Sequence, residues 1–263
     1  FTSRSLTRRA VLGGASVAVL AGCARIPNSS EVHTAPVRGI GLGAQGDVAV
    51  APPDPGAAKI DIVRGFLAAH LGVEDGNRTA REYLAGSIRE AWKPATAIEF
   101  SETEGLAYQE LEGDKVSVTI PVVSKVSPAG RRAVNLNPER EKAEFRLTQV
   151  NGEWRIAETP DALVLGSEGF ARLYEPASVY FVSKVGDALV ADPRWFLRQS
   201  TFASVFNRLA LGPPAFLKDA VRSALNEGSV LTPSALSRNE AGDLVVQLPA
   251  SVVELPEAER ALA

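Results

Sequence analysis

The one thiol in this sequence, Cys23, closes the run Leu20-Ala21-Gly22-Cys23, and the residues in front of it point to acylation. Arg4, Arg8 and Arg9 precede a 12-residue apolar stretch, Ala10 to Ala21, so a basic flank, an apolar segment and small residues before a cut stand in the order of a secretory leader. Twelve residues are too few to cross a bilayer, which takes ~20. Cleavage between Gly22 and Cys23 would make Cys23 the new amino terminus, with a diacylglycerol thioether expected on its sulfur and an acyl chain on its nitrogen. Leu20, Ala21 and Gly22 are then what the signal peptidase recognises. Each buried methylene contributes ~0.8 kcal/mol, and two or three chains hold firmly where one holds reversibly. A single cysteine also leaves nothing to form a disulfide within the chain.

Other candidate chemistry is thin. Asp61 and His70 fall on one amphipathic helix, where an acid and a base could serve proton transfer, but satisfied or surface polar residues are commoner at such positions. His33 is the only other histidine, so a His-Glu-x-x-His site cannot form, and no metal or cofactor is expected. Neither Ser-x-x-Lys nor Gly-x-Ser-x-Gly occurs. Gly41-Leu42-Gly43-Ala44-Gln45-Gly46 spells a dinucleotide-binding glycine pattern but lacks the strand before and the helix after that would aim amides at a pyrophosphate. The sequence therefore predicts no catalytic residue. Tyr83, Trp92, Tyr108 and Trp154 could stack on sugar rings, which keeps a glycan or small-molecule binding module as the alternative reading.

The chain has 28 basic and 31 acidic residues; the leader holds three of the basic and none of the acidic, so the remainder carries 25 against 31, a net charge of −6. Nucleic acid is not an expected partner. With 45% hydrophobic and 22% charged residues the chain reads as globular. Arginine outnumbers lysine 21 to 7, a usage typical of GC-rich genomes.

The elements that must position these residues follow from periodicity. Residues 1–22 are the leader and 23–58 a lipidated cysteine with a glycine- and proline-rich stalk. A first domain over 59–165 opens with a helix carrying Ile60, Val63, Leu67 and Leu71, then a second capped by Asn77 with Ala80, Tyr83, Leu84, Ile88 and Trp92 inward. Period two then takes over in 97–101, 107–111 and Val116, Val118, Ile120, Val122, and a hairpin turns at Asn151-Gly152. A second domain over 169–263 offers a hairpin about Gly186-Asp187 and a helix with Phe202, Val205, Phe206 and Leu209. A further helix starts at Pro214 with Leu217, Val221, Ala224 and Leu225 inward, a strand holds Leu244, Val246 and Leu248, and Ser251 to Glu254 has the form of a capping box. Helices followed by a curled antiparallel sheet read as α+β.

The element order over 59–165 resembles the NTF2-like cone, and Phe206-Asn207-Arg208-Leu209-Ala210-Leu211-Gly212-Pro213 with Leu217-Lys218-Asp219-Ala220-Val221-Arg222 resembles the GerMN domain. Combined with the lipobox form of Leu20 to Cys23, Ile26-Pro27, Gly65-Phe66-Leu67 and Ala80-Arg81-Glu82-Tyr83-Leu84, this order resembles the LpqB family of actinobacterial lipoproteins. The resemblance implies an NTF2-like cone followed by an α+β GerMN domain, and a carboxy-terminal β-propeller beyond a GerMN domain that Ala263 leaves incomplete. It implies a place on the cell membrane, lipid-anchored at its extracytoplasmic face, and a non-catalytic accessory role through contact with the outer domain of the MtrB sensor histidine kinase of the MtrA and MtrB two-component system. The export route stays open: Thr7-Arg8-Arg9-Ala10-Val11-Leu12 resembles a twin-arginine motif and reads equally as a basic flank for general secretion.

Overall fold

Lys59–Ala68 forms the first helix, α1, because its apolar residues recur with helical spacing; Ile62, Val63, Phe66 and Leu67 face inward while Asp61 and Arg64 face water. A 3₁₀ turn, Ala69–Leu71, extends it. The computed structural model describes residues 50–254, apart from 74, 75, 187, 226–228, 233, 234, 240 and 242. The leader, Cys23, His33 and the glycine pattern at 41–46 therefore lie outside the described residues.

The second predicted helix is two short ones, α2 (Arg78–Glu82) and α3 (Ile88–Ala91). The break has a tertiary cause: the Tyr83 carbonyl accepts from the Ile156 amide and the Ala85 amide donates to the Ile156 carbonyl, so residues 83–85 leave the helix to join a sheet edge. Asn77 does not cap α2 through its side chain; it holds a left-handed backbone, φ 60°. Tyr83, Leu84 and Trp92 are nonetheless buried, as their spacing predicts.

A six-stranded sheet follows, made by β1 (Thr96–Phe100), β2 (Ala107–Leu111), β3 (Lys115–Val126), β4 (Arg132–Val150), β5 (Glu153–Glu158) and β6 (Ala162–Gly166). Its order is β5-β4-β3-β1-β6, with β2 also paired to β3. Val116, Val118, Ile120 and Val122 all point into the core. The β4–β5 turn has φ 54° at Asn151 and 84° at Gly152, the two positive values a tight hairpin needs. Register shifts between Glu99 and Phe100 and between Val122 and Ser124 bend the sheet around α1. One pairing departs from the antiparallel expectation: β6 runs parallel to β1.

After α4 (Ser167–Leu173), a second sheet of order β8-β7-β9 forms from β7 (Tyr174–Ser183), β8 (Leu189–Leu197) and β9 (Val221–Arg222). Helix α5 (Thr201–Ala210) packs Phe206 and Leu209 on it and stops at Gly212, φ 80°. The helix predicted from Pro214 does not form. Residues 214–220 make turns and the chain then pairs with β7 as β9, Val182 opposite Arg222 and Ser183 opposite Val221. Val221, Ala224 and Leu225 are still buried. A two-stranded sheet, β10 (Leu236–Arg238) with β11 (Leu244–Val246), and the short α6 (Ala250–Val253) complete the described chain. Ser251 is not a cap: α6 begins at Ala250 and the Ser251 hydroxyl meets that of Ser229. The fold is α+β, with one core under α1 and a second under α5.

Candidate functional site

His70 sits in the 3₁₀ turn after α1, 1% exposed, with its ring stacked on Trp92 at 5.4 Å and met edge-on by Phe66 at 4.6 Å. Its Nδ1 accepts the Val164 amide at 3.0 Å, which assigns the proton of the neutral ring to Nε2. Nε2 has no partner among the described residues. Burial without a counter-charge pushes the imidazole pKa down to about 3. Asp61 is elsewhere: its carboxylate faces water and pairs with Arg64 at 2.7 Å. The structure does not bring the two together, and a ring neutral at every physiological pH and closed to solvent is no general acid.

Beside α1 lies an open groove of about 690 Å³. Leu67, Leu71, Phe100, Leu106 and Val164 make its apolar walls; Arg64, Glu102, Tyr108, Glu168 and Arg172 bring polar groups to it. Two glycines give it shape. A Cβ at Gly166 would stand 2.0 Å from Glu102 Oε1, and one at Gly169 would stand 2.6 Å from Leu71 Cδ2, so both side chains lie against bare backbone. The Arg64 guanidinium stands 5.1 Å over the Tyr108 ring, and burial raises the phenol pKa against the lowering effect of that charge. Of the four rings weighed for sugar stacking, only Tyr108 lines this groove. Tyr83 is 4% exposed and donates its hydroxyl to the Ala51 carbonyl at 2.9 Å. Trp92 is equally buried, and Lys59 covers Trp154.

A third polar centre joins the two cores, and sequence reasoning did not find it. Glu99, 5% exposed, accepts from the Ser124 hydroxyl at 2.5 Å and from Arg132 Nη2 at 2.6 Å; Arg132 also lies over Phe170 and Trp195. Next to it Asp192 and Arg194, each 2% exposed, pair with one another, and Arg131 reaches Asp192 at 3.1 Å. The loop between β3 and β4 is held to β8 and α5 by backbone contacts. Arg194 Nη1 donates to the Ala129 carbonyl at 2.6 Å, the Trp195 amide to Gly130 at 2.7 Å, and Arg208 Nη2 to Pro128 at 3.1 Å. The readable signal was alternation: Glu99 shares the inward face of β1 with Ala97, and Asp192 and Arg194 stand two apart on β8.

No group of three or more histidine, cysteine or acidic residues suited to a metal ion occurs among the described residues, and no described helix is long and apolar enough to cross a membrane.

Comparison with known proteins decides the family. The domain described as Lipoprotein LpqB, N-terminal domain, matches residues 52–171, which span α1 through the middle of α4. Proteins named Lipoprotein LpqB are similar over most of the chain: one from Thermobifida fusca is 30% identical over 84% of this chain and 38% of its own length. The chain belongs to the LpqB lipoprotein family. Another LpqB, from Cutibacterium acnes, is 28% identical over 97% of this chain and 43% of its own length, and one from Streptomyces coelicolor is 29% identical over 88% and 41%. The chain thus spans about two fifths of the length of the curated relatives it matches. No solved structure matches.

Proposed function

We propose that this member of the LpqB family is a lipoprotein anchored by acylated Cys23 at the extracytoplasmic face of the cell membrane. There it acts without catalysis, as an accessory to a two-component sensor kinase of the MtrB type. Membership of a lipoprotein family, in a chain whose single cysteine follows Leu20-Ala21-Gly22, is the observation that carries the reading. The relatives' name speaks for lipidation; it says nothing of a kinase, which enters from the resemblance. Two further facts support action by contact. The only candidate proton-transfer histidine in the described chain is neutral and buried, and among the described residues the buried charges of Glu99, Asp192 and Arg194 are paired within the fold. A lipid anchor confines such a body and a membrane-embedded partner to one thin layer, so effective concentration makes a modest contact sufficient.

Crosslinking on intact membranes, followed by pull-down of the acylated protein, tests the partner. The kinase's outer domain is expected with the wild-type chain and is lost with Cys23→Ala, which leaves the membrane while its unfolding curve stays unchanged. Recovery of no kinase with the acylated chain contradicts the partner reading; Cys23→Ala chain that stays on washed membranes contradicts the anchor.

A further inference from the structure

The groove beside α1 has a feature that protein contact does not use: its charged groups are not paired with each other. Glu102, Glu168 and Arg172 have no hydrogen bond or ion pair among the described residues, whereas Arg64, at the same groove, is held by Asp61. Glu168 and Arg172 stand one turn apart on α4, hence on one face with Cβ atoms ~6 Å apart. Glu102 lies at the amino-terminal end of α4, the end that holds Glu168, against Gly166, where the missing side chain brings its carboxylate to the backbone; Arg172 is one turn further on. Between these ends the walls are apolar, with Leu71, Phe100 and Leu106 exposed to the space.

From this arrangement we propose that the groove binds an apolar zwitterion of dipeptide size. The two carboxylates form a seat for an ammonium group, and the Arg172 guanidinium, with its planar set of donors, takes a carboxylate. Two extended residues span ~7 Å, which matches one turn of α4 between the two seats. A volume of about 690 Å³ lies within the range of small-molecule sites and leaves room for two aliphatic side chains against the apolar walls. A purely apolar ligand would leave three charges facing it, and a simple anion would meet two carboxylates beside one guanidinium. The zwitterion alone answers both signs. This inference does not depend on the anchor or on the kinase.

Isothermal titration of leucyl-leucine into the full chain carrying Cys23→Ala, which keeps the chain's own lipid from competing, is the test. Millimolar or tighter binding is expected, and N-acetyl-leucyl-leucinamide, which keeps the side chains and loses both charges, binds at least about tenfold more weakly. Arg172→Gln weakens leucyl-leucine about tenfold and leaves the neutral peptide unchanged. Gly166→Ala pushes the Glu102 carboxylate from its seat and weakens the same ligand. If that variant loses its circular-dichroism signal, Glu168→Gln, on the exposed side of α4, gives the same reading without touching the core. Equal affinity for the charged and neutral peptides, insensitivity to Arg172→Gln, or no heat up to roughly 10 mM ligand would overturn the proposal.

Discussion

His70 and the Asp192–Arg194 pair are buried alike, in one core and at the junction of two, and are treated in opposite ways. The imidazole has one hydrogen bond and no counter-charge, so it stays neutral. The carboxylate and guanidinium are paired, and their remaining donors and acceptors reach Ala129 and Arg131. A buried group must either shed its charge or have it matched, because an unmatched charge in a low-dielectric interior costs several kcal/mol. Both solutions are structural. Neither centre lines the groove beside α1, whose polar groups are Arg64, Glu102, Tyr108, Glu168 and Arg172.

Breaking the matched pair should have the largest effect. Arg194→Met leaves Asp192 buried with only the half-exposed Arg131 and removes the tie to Ala129, so the unfolding free energy should fall by about 3–5 kcal/mol. Pairing it with Asp192→Leu should restore much of that loss, since apolar groups of similar volume replace buried ion pairs well. Denaturant titration of the three proteins at neutral pH measures both.

The neutral centre should respond to acid instead. The folded pKa of His70 is about 3 against 6.5 unfolded, so its contribution is complete above pH 6.5 and is lost as pH falls from there toward 3. At pH 5 the loss should be about 2 kcal/mol, from a limiting slope of about 1.4 kcal/mol per pH unit. His70→Phe costs the bond to Val164 at neutral pH yet should flatten this slope. The wild-type minus variant difference, measured from pH 7 to pH 4, isolates it from the carboxylates.

Smaller effects belong to the loop that joins the cores. Gly130 has φ 77°, and a Cβ there would meet Phe196 at 3.0 Å and the Trp195 carbonyl at 3.1 Å, so Gly130→Ala should cost about 1–3 kcal/mol. Phe216, 67% exposed with the Arg131 guanidinium 4.6 Å from its ring, should cost under about 1 kcal/mol when changed to alanine. A thermal melt of each checks the order.

The sequence made the regular elements readable where local pattern and tertiary demand agreed. The inward valines of β3, the two-residue turn at Asn151-Gly152, and Phe206 and Leu209 of α5 all stand as periodicity and turn chemistry require. It failed where distant backbone claimed a segment. Nothing near Tyr83 announces that Ile156 will take its carbonyl, and nothing near Val221 announces pairing with Ser183. Ala162-Leu163-Val164-Leu165 is a continuous apolar run with no alternation to read, because β6 is buried on both faces, as a parallel strand commonly is. The site was less legible than the fold. Asp61 and His70 drew notice by residue type and proved separate, whereas Glu102 and Arg172 are ordinary surface residues until Gly166 and the turn of α4 bring them to one groove.

In the function proposed above, place matters more than turnover, and acylation of Cys23 would decide it. The most direct measurement is the mass of the amino-terminal peptide from protein extracted out of its native membrane. The expected peptide begins at Cys23 and carries a diacylglyceryl group on sulfur and an acyl group on nitrogen. A peptide still joined to Gly22, or a free sulfhydryl at position 23, would contradict it.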